Sequence, residues 1–219
     1  FNTIVDAIKN GRTIYSNIKK AISYILVIHI PIAFASFFVP LFRLPVLLLP
    51  IHIVLLELII DPTSSIIFQR LKPDRNVMEE KPRKINEPIM NKRAVFRCVL
   101  QGLAIFLAFF GSYFYLLKQG SSQNLAMTFA FTVLVLANVL VVYVLQSREY
   151  ALKNFIIDFK DKVIVLINSI IVVMLLLLIY VPIFNQLVGT VPLRISQLLL
   201  AFLIALLATV SFDVLKKKR

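Results

Sequence analysis

Six apolar runs decide what this chain can fold into. They lie at about 21–42, 44–69, 94–117, 124–145, 163–184 and 195–215. Each supplies the roughly 20 apolar residues that a bilayer-crossing helix needs. The composition fits: 59% of the 219 residues are hydrophobic and 16% charged, with a mean hydropathy of +0.88. A soluble domain is about 45–50% apolar and about 25% charged. These values exclude an ordinary soluble domain, a disordered tail and a disulfide-rich secreted module. The single cysteine, Cys98, allows neither an internal disulfide nor a cysteine-based metal site. The expected fold class is all-α, a polytopic membrane protein built as a six-transmembrane-helix bundle.

The separators set the organisation. Three are short: Arg43 to Pro45, Lys118 to Gln123, and Asn185 to Arg194, where Gly189 and Pro192 suit a tight turn. Two, 70–93 and 146–162, are longer and charged. Residues 1–20 pattern as an amphipathic helix, with Ile4, Val5, Ile8, Ile14 and Ile18 against Lys9, Arg12, Lys19 and Lys20. No breaker separates them from the first run, so a stalk helix is expected to run straight out of the membrane. Residues 216–219 form a basic tail. The first residue is Phe, and the sequence is expected to begin inside a longer protein.

Charge gives the orientation. With six spans, both termini and both long connections share one side. That side holds 21 of the 24 Lys and Arg residues, leaving Arg43, Lys118 and Arg194 for the other. An excess of Lys and Arg marks the cytoplasmic face, so a cell-membrane protein with both termini cytoplasmic is expected. The net charge of +13 is then a matter of membrane-facing loops. Nucleic-acid binding is not expected, because the basic loop 70–93 lacks interleaved aromatic residues.

Two acids break the apolar pattern. Glu57 and Asp61 sit deep in the second run, within HIVLLELIIDPTSS (52–65). Four residues apart, they share one helix face, about 6 Å apart along the axis. A charged side chain at mid-membrane costs about 2.5–3.5 kcal/mol on insertion scales. A cation between the carboxylates relieves that cost, and so does protonation. A protonated pair that merely bonds neighbouring helices is the structural alternative. Pro62 has no N–H, so the Leu58 carbonyl loses its helical donor and becomes a candidate oxygen ligand. Pro31 does the same for Val27 near His29. His29, mid-span, could ligate a metal, relay a proton or bond a neighbouring helix. Asn138 could be an oxygen ligand or an interhelical partner. Gly102 and Gly111 are expected at close approaches between helices. Glu57 and Asp61 are expected to face the bundle interior, toward His29 and Asn138, where the Leu58 carbonyl and the Asn138 amide would complete an oxygen cage. Glu57, Asp61, Asn138, His29 and Leu58 are thus the candidate cation-site residues.

The residues also resemble a known family. The opening FNTIVDAIKNGRTIYSNIKKAISYIL (1–26), then LPVLLLPIHIVLLELIIDP (44–62) and LKPDRNVMEEKPRKINEPIM (71–90), are similar to the stalk, fifth and sixth membrane helices and following loop of P-type cation-transporting ATPases. The likeness continues more loosely to the end and is closest to the branch containing calcium pumps. It implies the last six membrane helices of such a pump. Carried over by position, sixth-helix ligands fall on Glu57, Ile60 and Asp61. Asp61 matches the family's membrane aspartate, while Glu57 stands where calcium pumps usually carry Asn. His29 and Ile32 fall at fifth-helix ligand positions and Asn138 at one on the eighth. Pro62 replaces the family's Gly. This ligand set suits one divalent cation, calcium or another, or protons.

The resemblance further implies that ATP and magnesium act in domains absent here, together with the earlier helices. No cofactor is expected in this chain itself. Its expected partners are those missing N-terminal helices and cytoplasmic domains, and the lipid bilayer. The leading reading is therefore the ion-translocating membrane region of an ATP-driven pump. A stand-alone six-span secondary transporter or proton-coupled channel is the alternative, and a purely structural membrane subunit a third.

Overall fold

A computed structural model of the chain describes residues 2–73, 77–79, 87–146 and 162–214, with only the backbone described at 2, 59–61, 63–64 and 212–214. α1 runs from Asn2 to Leu41 without interruption, so the amphipathic stalk and the first span form one helix. Pro31 and Pro40 lie inside it, and neither ends it. The second span is broken. It begins with α2 (Pro50–Leu55), passes through a π-helical turn (Leu56–Ile60) and continues as α3 (Asp61–Gln69). α4 (Lys92–Lys118), α5 (Gln123–Gln146), α6 (Lys162–Tyr180), α7 (Pro182–Val188) and α8 (Ile195–Val214) follow. Among the described residues there is no strand, and the all-α bundle read from the apolar runs is the fold observed. Four helices, α1, α4, α5 and α6, are individually long and apolar enough to cross a membrane.

Two spans differ from their apolar runs. Residues 44–49 are non-helical, and helix starts only at Pro50, a residue suited to a first helical position because its missing N–H is not needed there. The fifth run, expected to 184, stops as helix at Tyr180. Pro182 explains the stop, since it deprives the Leu178 carbonyl of its donor. That carbonyl is served instead by the Asn185 amide at 2.8 Å and by the Thr190 hydroxyl. Asn185 also donates to the Ile179 carbonyl at 2.8 Å. α7 then closes at Gly189, whose φ of 71° is left-handed, the conformation glycine adopts freely at a helix C-terminus.

α5 is apolar all round and buried along most of its length, as befits a central helix. α4, α8, α1, α6 and α3 all pack on it. α1 and α4 pack closely because Gly102 admits Ile30: a Cβ on Gly102 would meet the Ile30 side chain at 2.7 Å. Gly111, expected at a similar approach, faces open space instead.

The bundle ends differ. At one end, short loops are fastened by single polar groups. The Tyr113 hydroxyl donates to the Pro45 carbonyl at 2.8 Å, the Gln123 amide to the Val46 carbonyl at 3.2 Å, and the Val191 N–H to the Thr128 hydroxyl at 3.0 Å. At the other end, the chain after α3 returns along the stalk. Arg12 donates to the Val77 carbonyl at 2.9 Å and Asn17 to the Leu71 carbonyl at 3.0 Å.

Candidate functional site

The π-helical turn places Glu57. A π turn widens a helix locally and tends to mark functional positions. Here it lies directly before Asp61 and Pro62, where the sequence withdraws a backbone donor from the Leu58 carbonyl. The Glu57 carboxylate reaches across to α1. Its two oxygens lie 3.0 and 3.3 Å from His29 Nε2. The other ring nitrogen, Nδ1, lies 2.8 Å from the Ile25 carbonyl. A carbonyl oxygen can only accept, so Nδ1 carries a proton. The Nε2–carboxylate contact then needs one proton of its own, on the ring or on the acid. Without it, a carboxylate and an imidazole lone pair face the same point, an arrangement that receives a cation.

The side chains of His29 and Glu57 are 42% and 44% exposed. The pair therefore lies on the flank of the bundle, although interior placement was expected. Leu58 projects its side chain outward there, 71% exposed, leaving its carbonyl as the part able to serve a cation. Asp61 follows at the start of α3, and its description stops at the backbone.

Asn138 does not join this group. It is buried on α5, and neither amide atom has a hydrogen-bond partner. No hydrogen bond links it to Glu57 or His29; the oxygen cage expected from the sequence includes Asp61, whose side chain lies outside the described residues. Sequence reasoning also missed Gln101. This α4 amide is buried with its nitrogen unpartnered. A polar residue in the middle of the run 94–117 was the available signal. His52 is fully buried, stacked on Phe131 with ring centroids 4.7 Å apart, and accepts the Leu49 N–H at Nδ1. That role is helix-starting and structural. Among the described residues, no group of three or more His, Cys, Asp or Glu side chains could hold a metal.

Known proteins place this geometry in context. Residues 45–217 match the family described as "Cation transporting ATPase, C-terminus". The chain is 33% identical over 150 residues to a calcium-transporting ATPase of Bacillus subtilis, covering 68% of this chain and 17% of that protein. It is 28% identical over 231 residues to calcium-transporting ATPase 1 of Bacillus cereus, covering 99% of this chain and 26% of that protein. A cation-transporting ATPase of Synechocystis is 28% identical over 151 residues, 68% of this chain and 16% of the relative. The chain thus spans about a quarter or less of the length of these relatives. On this match, and with helices that can cross a membrane, the chain is a multi-pass membrane protein belonging to the C-terminal region of the cation-transporting ATPase family.

Proposed function

We propose that this chain is the ion-translocating membrane region of an ATP-driven cation pump, with the ion held at an intramembrane carboxylate site. One observation carries the reading. Glu57 stands at a π-helical turn with its carboxylate 3.0 Å from His29 of the neighbouring span. A helix irregular at membrane depth is tolerated where it lines a cavity or meets protein, and broken helices build ion sites in transporters. Asp61 adds a second carboxyl one turn on, and the Leu58 and Val27 carbonyls, each robbed of its α-helical donor by a proline, add oxygen. Two carboxylates neutralise one divalent cation, and hard cations such as calcium take oxygen ligands.

The exposed side of the His29–Glu57 pair supports a further part of the reading. Earlier membrane helices of the parent protein cover that side and complete the coordination. Asn138 is held in reserve as a ligand from α5, reached only if the bundle rearranges. ATP and magnesium act in cytoplasmic domains outside this chain, and α1 transmits their movement through its unbroken stalk. The charge distribution puts both termini on the cytoplasmic side of the cell membrane.

In the complete pump, Glu57→Gln should raise the cation concentration for half-maximal ATP hydrolysis by about tenfold, equivalent to about 1.4 kcal/mol. An unchanged concentration dependence at normal expression would remove Glu57 from the site.

A further inference from the structure

We propose that the charged end of α4 is a binding site for a phospholipid with an anionic headgroup, formed by Lys92, Arg93 and Arg97 above the apolar face of the same helix. The three cations are exposed and occupy the first two turns. None has an ion-pair or hydrogen-bond partner among the described residues. The helix itself gives no reason for them. Its N-terminus is the positive end of the backbone dipole, where cations are disfavoured and anions favoured. The first turn contains no acid. Lys118 at the other end is a useful contrast. It sits in the last turn, where the dipole favours it, and rests over the Phe114 ring at 5.4 Å.

The backbone adds to the attraction. The Asn91 side chain and carbonyl take the N–H groups of Ala94 and Val95. The N–H groups of Lys92 and Arg93 have no carbonyl one turn back within the helix.

What distinguishes this cluster from loop charges is the surface below it. At 100° per residue, Arg93, Phe96, Arg97, Leu100 and Leu107 fall within an arc of about 100°. Phe96 is 62% and Leu107 66% exposed, and Leu100 is exposed as well. Cys98, Gln101, Ile105 and Phe109 take the opposite, buried side. From Phe96 to Leu107 the helix rises about 16 Å, close to half of a hydrocarbon core about 30 Å thick. One acyl chain in one leaflet has this length. Arg97 lies one turn deeper than Arg93, and its long stem lets the guanidinium reach up to the same headgroup. Paired guanidinium groups bind phosphate oxygens well, and a headgroup lacking an ammonium leaves their charge uncontested.

The chain contains no Trp, so Phe96→Trp places a single reporter on the proposed acyl face. The full 219-residue chain is reconstituted in phosphatidylcholine bilayers containing brominated phosphatidylglycerol or, in parallel, brominated phosphatidylcholine. The proposal expects half-maximal quenching at a severalfold lower mole fraction of the brominated phosphatidylglycerol. Adding Arg93→Gln and Arg97→Gln should erase the difference, whereas adding Lys118→Gln should leave it. Size-exclusion profiles and helical circular dichroism of the variants confirm that the fold is intact. Equal quenching by the two lipids, or a preference that survives the double substitution, would overturn the proposal. Absence of quenching by either lipid would overturn it too, because the face would then be covered by protein.

Discussion

Gly102 and Gly111 share a helix, yet only Gly102 is needed where it stands. An added Cβ at 102 would press on Ile30 at 2.7 Å, while at 111 it would meet nothing within 4 Å. Gly102→Ala should therefore destabilise the bundle by about 1–3 kcal/mol, the usual cost of overpacking. Gly111→Ala should stabilise it by up to about 1 kcal/mol through helix propensity. Thermal unfolding of the two variants in detergent checks both signs. Ile30 also adjoins His29, so pressure from Gly102→Ala falls next to the candidate site. The sequence marks both glycines as small residues in an apolar run, and nothing local separates them, because the deciding atom belongs to another helix. The same holds for the polar residues. Glu57 and His29 are legible as polar groups set in apolar runs, and their contact follows from the neighbouring helices that carry them. Asn138 is equally legible as polar, but its burial without a hydrogen-bond partner is set by α5 lying at the centre of the bundle.

At the scale of elements, prolines have different outcomes that depend on their partners. Pro31 leaves α1 continuous, Pro62 accompanies a π turn, and Pro182 separates α6 from α7. The third outcome is stabilised by Asn185, whose amide donates to two carbonyls at the end of α6. Asn185→Ala leaves those carbonyls short of donors and should cost about 1–3 kcal/mol, the penalty for buried polar groups left unpaired. A melting temperature lowered by several degrees, with the helical content of the folded state unchanged, is the expected reading. An unaltered melting curve would show that the Thr190 hydroxyl suffices for the Leu178 carbonyl and that the Ile179 carbonyl does not need Asn185. Helices lie along the apolar runs because burial and lipid exposure both demand apolar residues. The runs could not locate the π turn or the break at Val181. Hydropathy carries no record of which backbone donors are missing, and that record lies in the prolines and in distant amides.

For the whole molecule, the charge distribution and the bundle geometry make one claim. The connections near Arg43, Lys118 and Asn185 lie at one end, and the stalk with its returning chain at the other. Single cysteines introduced at Arg43, Lys118 or Gln186 should react with an impermeant reagent applied outside cells. Those at Lys72 or Lys92 should react only after permeabilisation. The native Cys98 is buried and adds little background. The reverse labelling pattern would invert the topology.

The central claim is that a cation crosses the membrane by way of Glu57 and Asp61, and it is tested by ATP-driven calcium uptake into proteoliposomes containing the complete pump. Asp61→Asn removes the charge while keeping the size of the side chain, so protein yield should be retained. Uptake should then fall to background in Asp61→Asn and weaken in Glu57→Gln. Asp61→Asn protein that is present at normal levels and transports calcium at the unsubstituted rate would contradict the account, because the ion would be passing elsewhere.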